Sequence, residues 1–273
     1  MQDEVFGAVA RALEEGAPVA LMTVVAAEGS TPRGAGAKML VYGDGRTVGT
    51  IGGGTCEHDA AGRAREAIRL QQPVLVKYDL TGEAAGDCGA VCGGRMEVFI
   101  EPVVPAPRLY VVGAGHIGQH LARLSREIGF AVHVVDDREE FANTGRFPGA
   151  AEIGVGDIPA WLAQAAVPPG SYAVIVTRGH RHDLDALRVL IRRDLAYIGV
   201  IGSRAKVKSL FDTLRAEGVG PERLAEVHAP IGFDIGAVTP AEIAVSIAAE
   251  LVAARRGRLE APHVAGATMR AGR

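Results

Sequence analysis

The chain has 273 residues, with 29 Lys plus Arg against 32 Asp plus Glu, a formal net charge of −3 and a mean hydropathy of +0.16. That length suits two domains, the charge lacks the basic stripe that a nucleic-acid partner needs, and charges break every apolar run before it is long enough to span a bilayer. Hydrophobic residues reach 48% but aromatics only 5%, so the cores are built from Val, Ile, Leu and Ala, as in buried parallel strands flanked by helices.

In chain order, Val5, Phe6, Val9 and Leu13 share one face of a predicted helix at 2–15. Strands are predicted at 19–26 and 38–42, separated by a loop at 29–36. Asp44-Gly45 is a hairpin signal, followed by a return strand at 47–51. A helix at 57–70, a strand at 74–79, a loop at 81–94 and an alternating strand at 95–101 complete a domain of residues 1–101. Pro102, Pro105 and Pro107 mark a stiff linker at 102–107 that is expected to continue neither a helix nor a central strand.

The rhythm then changes. Strands at 108–112, 131–135, 151–155, 172–177 and 197–201, with a last short one near Val227, alternate with helices at 116–128, 159–166, 183–192, 204–217 and 240–254. This alternation predicts an α/β fold over 108–255 with a Rossmann-like parallel sheet, preceded by the smaller mixed α/β N-terminal domain. The Arg-, Gly- and Ala-rich tail, 256–273, is expected to be disordered. The first residues carry neither a basic region nor an apolar one of the secretory kind. With three cysteines, which cannot all pair with one another, the expectation is a reducing, cytoplasmic setting and at least one free thiol.

Gly113-x-Gly115-x-x-Gly118 follows a predicted strand and opens a helix, and Asp136 ends the next strand. In that context Gly113 permits a tight turn, Gly115 lets a phosphate approach the backbone, and Gly118 lets helix and sheet close up. The helix start offers free N–H groups to the phosphate of a nucleotide or related ligand. Asp136 is a candidate partner for a ribose diol, or a strand-end surface acid. His116 either points a ring nitrogen at a ligand or fills a tolerant position.

Three later segments sit at strand ends, where open sheets bind ligands. In Thr177-Arg178-Gly179-His180-Arg181-His182-Asp183, Arg178 and His180 suit a phosphate. His180, His182 and Asp183 also have metal-ligand chemistry, and Asp183 equally suits a helix cap. Ser203 is an N-cap candidate and, with Arg204, a second anion site, whereas Lys206 and Lys208 read as solvated helix surface. Thr239, Pro240 and Glu242 form a capping box. Asp234 and Gly236, just before it, have no packing explanation.

The N-terminal set has no generic fold to explain it. Ser30, Thr31 and Arg33 could cradle an anion, and residues 50–54, with Gly52, Gly53 and Gly54, suit an anion nest. Cys56 falls where a helix start depresses a thiol pKa, and Glu57 reads as an ordinary first-turn acid. Cys88-x-x-x-Cys92 lacks the spacing of a zinc knuckle, and a closed site would need Cys56 and His58 as well. Cys92, before Gly93, is either a reactive thiol that binds a soft ligand or a buried structural one.

Together these motifs resemble the XdhC/CoxI family, the accessory proteins of xanthine dehydrogenase and related molybdenum hydroxylases. The resemblance runs through Gly29-Ser-Thr-Pro-Arg33, Gly49-Thr-Ile-Gly-Gly-Gly54 with Glu57, Cys92-Gly-Gly94, Val112 to Gly118, Val135-Asp-Asp-Arg138, Thr177 to His180, Ile198 to Arg204 and Gly232 to Ile243. It implies a Rossmann-like C-terminal domain, a homodimer, and binding of the molybdenum cofactor as molybdopterin or its nucleotide form, with the Rossmann site holding that phosphate or a separate nucleotide. It implies a chaperone that protects the cofactor, supports its sulfuration with a cysteine desulfurase and delivers it to an apo molybdenum hydroxylase. Gly29 to Arg33, Gly52 to Gly54 and Cys92 match positions facing the cofactor, with Cys92 as a thiol near molybdenum. Cys88 and Cys56 depart from the family pattern. The competing functions are an NAD(H)-dependent oxidoreductase, for which no proton-transfer couple such as Tyr-x-x-x-Lys follows the fold, and a nucleotide-sensing regulator.

Overall fold

Alternating apolar residues in the first hundred positions pair as an antiparallel sheet, and the continuous apolar runs after residue 107 pair as a parallel one. The computed structural model describes residues 2–80 and 93–259. Cys88, Cys92 and the part of the predicted tail from residue 260 onward lie outside them. The chain divides into two compact units, Met1–Pro105 and Ala106–Arg273.

In the first unit, α1 (Gln2–Glu15) precedes β1 (Val19–Glu28), β2 (Lys38–Tyr42) and β3 (Thr47–Gly49). Then come α2 (Gly54–Leu70), β4 (Val74–Asp79) and β5 (Arg95–Val103). The sheet order is β3-β2-β1-β5-β4, with antiparallel pairing throughout. One face packs Met22, Val24, Met96 and Val98 against Ala60 and Ala64 of α2. The other packs Val19 and Leu40 against Val5, Ala8 and Ala12 of α1.

Pro102 lies inside β5, where the sequence predicted only linker. It pairs with Ala20 of β1 on one side, but the β4–β5 ladder ends at Val74 and Ile100. Pro102 therefore sits beyond β4, where a missing N–H breaks no ladder bond on that side.

The second unit contains β6 (Arg108–Val112), α3 (His116–Glu127), β7 (Ala131–Asp136), β8 (Glu152–Val155) and α4 (Ile158–Gln164). It continues with β9 (Ser171–Ile175), α5 (His180–Leu190), β10 (Leu195–Val200) and α6 (Arg204–Ala216). The short α7 (Pro221–Ala225), β11 (Val227–His228) and α8 (Pro240–Arg255) end it. The order β11-β10-β9-β6-β7-β8 is parallel at every pairing. Counted from β6, this is the doubly wound 3-2-1-4-5-6 order, with its switch point between β6 and β9. α4, α5 and α6 cover one face through Leu162, Leu187, Leu190, Leu210 and Phe211. α3 and α8 cover the other through Leu121, Ile247 and Leu251.

Two boundaries differ from the sequence expectation in ways that matter for the site. α5 starts at His180 rather than Asp183, and α2 at Gly54 rather than Glu57. Periodicity does not place these first turns, because Gly54, Thr55, His180, Arg181 and His182 bear no apolar mark. Among the described residues no helix is long and apolar enough to cross a membrane.

Candidate functional site

Within the first unit, three motif segments meet at one end of the sheet. A Cβ added to Gly29 would lie 3.1 Å from Gly94 Cα. One added to Gly94 would run into the carbonyls of Glu28 and Ser30, and one on Gly52 would lie 2.6 Å from Pro32 Cβ. Glycine at these positions lets the loops after β1, before α2 and before β5 touch. Two backbone bonds tie the last of these loops to the end of β4, Leu80 N to Gly94 O at 2.8 Å and Gly93 N to Leu80 O at 3.0 Å. Gly93, the neighbour of Cys92 in sequence, thus belongs to this cluster. Ser30 and Arg33 are exposed, and Thr31 Oγ1 donates to the Arg33 carbonyl at 3.1 Å.

The glycine nest is already engaged by the chain itself. Glu57 Oε2 accepts from Thr50 Oγ1 at 2.5 Å, from Ile51 N at 3.0 Å and from Gly53 N at 2.9 Å. Gly52 N donates to Thr50 Oγ1 at 3.1 Å. The expectation of an ordinary first-turn acid is therefore corrected: Glu57 reaches back and fills the nest. Burial pushes its carboxyl up, but the bonds from Thr50 and the Gly53, Ile51 and Gly52 amides outweigh that and hold it below the ordinary glutamate value. Gly53 has nothing within 4 Å of its Cβ direction, so the nest stays open on that side. Cys56 is buried and disulfide-bonded, and carries no thiol for the helix start to tune.

In the second unit, the predicted site residues gather at the carboxyl edge of the parallel sheet. The glycine turn shows why each glycine is there. A Cβ on Gly113 would lie 2.5 Å from the Val176 carbonyl across the switch point, and one on Gly118 would overlap the Gly113 carbonyl. Gly115 differs: beyond its chain neighbours, nothing lies within 4 Å of its Cβ position. It caps α3 without any side-chain bond, so no cap side chain occupies the first N–H groups of that helix, beside an exposed His116.

Asp136 does not face outward. It is 2% exposed. Its Oδ2 accepts from Ala114 N at 2.7 Å and Arg138 Nη2 at 3.0 Å, and its Oδ1 from Arg138 N at 3.1 Å and Nε at 2.8 Å. Four donors fill its acceptor positions, and a ribose hydroxyl would have to displace one of them. Burial raises its pKa, but the Arg138 side chain and the Ala114 and Arg138 amides more than reverse this and keep it ionised below the ordinary range. Arg138 in turn stacks on Phe141, 3.8 Å from the ring centre.

Arg178, after β9, bonds Asp137 Oδ2 through Nη2 at 2.6 Å and remains half exposed. His180 is exposed at the first position of α5. Asp183, read from the sequence as a cap or a metal ligand, is fully buried. It accepts from Thr177 Oγ1 at 2.5 Å and pairs with Lys206 Nζ. That also corrects Lys206, which is no free surface lysine; Gly202 leaves room for its stem, since a Cβ there would lie 2.8 Å from Lys206 Cδ. Among the described residues no group of three or more His, Cys, Asp or Glu is placed to hold a metal ion.

Ser203 accepts from Lys206 N at 3.3 Å as the N-cap of α6, with Arg204 exposed next to it. The loop after β11 joins the same edge through Ile231 N to Val200 O at 3.0 Å. Asp234 is exposed there, its Oδ1 3.4 Å from Gly236 N. Sequence reasoning missed the nest-filling role of Glu57, the Asp183–Lys206 pair and the Arg138 brace. Arg138 and Glu57 left a trace as members of quoted motifs, but not of these roles.

Residues 109–251 match the XdhC Rossmann domain, and residues 12–79 match the XdhC and CoxI family. The uncharacterized protein YqeB of Escherichia coli (strain K12) is 36% identical over 91% of this chain and 46% of its own length. A probable xanthine dehydrogenase subunit from Bacillus subtilis (strain 168) is 26% identical over 89% of this chain and 95% of its own. The chain thus spans about half the length of the first relative and nearly all of the second. A crystal structure of a xanthine dehydrogenase from Bacillus halodurans superposes with a TM-score of 0.51 at 24% identity, over 94% of this chain and 97% of that one. At that identity the likeness is one of fold.

Proposed function

Because the chain belongs to the XdhC and CoxI family, we propose that it serves the maturation of a xanthine dehydrogenase-type molybdoenzyme, by binding the molybdenum cofactor as cargo and delivering it to the apo-hydroxylase. The cofactor brings a pterin, a phosphate or nucleotide, and a dithiolene-held metal whose redox chemistry belongs to the client. The chain's own work is to bind, orient and shelter it, and to support its sulfuration together with a cysteine desulfurase. The acting form is proposed to be a homodimer.

The observation that supports this furthest is Gly115. Gly113 and Gly118 are explained by the chain's own packing, whereas Gly115 opens onto space at the start of α3. Such an opening at an uncapped helix start fits a phosphate. In this proposal Gly113, Gly115, His116 and Gly118 hold the phosphate end, or a separate nucleotide, with Arg178, His180, Ser203, Arg204 and Asp234 on the same edge. Ser30, Thr31, Arg33, Gly52 to Gly54 and Gly93 face the cargo in the first unit. Cys92, in its reduced form, supplies a soft thiol suited to molybdenum. The saturated Asp136 weighs against a plain NAD(H) site, since it offers no free oxygen to a ribose.

Delivery is tested by mixing the protein, purified anaerobically with its cargo, with an apo-hydroxylase and following pterin and activity. The expected result is that pterin moves and activity appears; pterin that stays put, or hydride transfer from NADH without pterin binding, would replace this function. Cys92→Ala is expected to weaken retention of the molybdenum form more than that of metal-free pterin. Equal retention of both would remove the thiol from the site.

A further inference from the structure

The outer side of α3 carries a cationic cavity that the glycine turn and the N-terminal motifs leave unexplained. The helix lines it with Gln119, His120, Arg123 and Arg126, and the segment 145–150 closes it with Arg146 and Phe147, around a volume of about 370 Å³. The contacts that fasten this segment to the helix are made to backbone carbonyls. Arg126 Nη1 donates to the Pro148 carbonyl, and Gln119 Nε2 to the Arg146 carbonyl at 3.4 Å. A neighbouring cavity of about 510 Å³ shares Arg123 and Arg126 and is also lined by Glu127.

Charge balance sets this place apart. At the adjacent strand end, Arg138 and Arg178 are each neutralised, by Asp136 and Asp137. Among the described residues, Arg123, Arg126 and Arg146 have no carboxylate within ion-pair distance, Glu127 included. Arg146 Nε is buried without a hydrogen-bond partner, and its guanidinium lies 5.1 Å from the centre of the Phe141 ring. A buried donor left unpaired is rare in a native fold. Three guanidiniums facing one cavity repel each other unless an anion joins them.

We propose that this cavity binds a small phosphate-bearing molecule, at a site separate from the glycine turn. Guanidinium forks match phosphate oxygens in pairs. The volume exceeds that of a bare phosphate and falls within the range of small-molecule sites, about 300–1,000 Å³. Ala122, Phe147 and Pro148 give an organic body an apolar floor. Arg146 also reaches the glycine turn, its Nη2 3.4 Å from the Ala114 carbonyl, so one side chain adjoins both sites. The site does not depend on the cofactor-handling function proposed above.

The test is calorimetric titration of the full chain with pyrophosphate, for the wild type, Arg123→Ala and Gly115→Ala, with circular dichroism to check folding. The Arg123 side chain is exposed and makes no hydrogen bond, so its removal spares the fold. The expected result is saturable binding that weakens at least tenfold in Arg123→Ala and persists in Gly115→Ala. Absence of saturable binding, binding indifferent to Arg123→Ala, or binding lost only in Gly115→Ala would overturn the proposal.

Discussion

At the scale of single residues, three glycines of one turn have separable jobs. Gly118→Ala drives a methyl into the Gly113 carbonyl, and overpacking of this kind costs about 1–3 kcal/mol. Gly115→Ala meets open space at an ordinary backbone angle and should shift stability by no more than about 0.5 kcal/mol. Chemical denaturation of both variants checks this contrast. Glu57 offers a second test. Its pKa is lowered on folding, so its contribution to stability is fully present above the ordinary value and is lost as pH falls through the lower folded value. Glu57→Ala strands the Ile51 and Gly53 amides, at about 1–3 kcal/mol, and should flatten the acid limb of the stability–pH curve. An unchanged acid limb in the variant would mean that the nest is not what Glu57 stabilises. The glycine pattern was readable in sequence because spacing encodes backbone geometry. The occupant of the nest was not, because a first-turn acid looks the same whether it faces water or turns back onto a loop.

At the scale of elements, the junction of α5 and α6 rests on a pair that neither helix reveals alone. Asp183 is fully buried between Thr177 and Lys206. Asp183→Ala leaves Lys206 without its counter-charge and should cost about 3–5 kcal/mol. Lys208→Ala, on the same helix, breaks an exposed pair with Asp212 and should leave the urea midpoint unchanged. Similar midpoints for the two variants would contradict the structural role given to Asp183. The loop after β11 is held in the same manner: Glu250, on α8, accepts from Tyr197 Oη at 2.8 Å and from Gly232 N, with His228 Nδ1 3.1 Å away. Strands and long helices were legible from apolar rhythm. α7, five residues long, carries too little of that rhythm to be seen, and the Asp183–Lys206 pair joins two helices that no local pattern connects.

At the scale of the whole molecule, the change from antiparallel to parallel pairing falls where the prolines cluster, and each sheet has its own cores. Limited proteolysis is expected to cut near residues 104–107 and release two resistant fragments. Resistance of that segment together with rapid loss of either half would argue against two self-sufficient units. The parallel pairing followed from the βα alternation, so the edge where the second-unit candidates gather was legible in the sequence alone, whereas the strand order and its switch point come from the structure. Which of them turn inward was not, since Asp183 is paired with a lysine on another helix and the Arg138 beside Asp136 reads equally as a surface charge. The central claim, that the chain carries the molybdenum cofactor, is tested most directly by pterin and metal analysis of the protein purified anaerobically from cells that make the cofactor. Pterin and molybdenum are expected in stoichiometric amounts with the chain. Protein that carries neither, under conditions where a molybdenum hydroxylase made in the same cells is fully loaded, would contradict it.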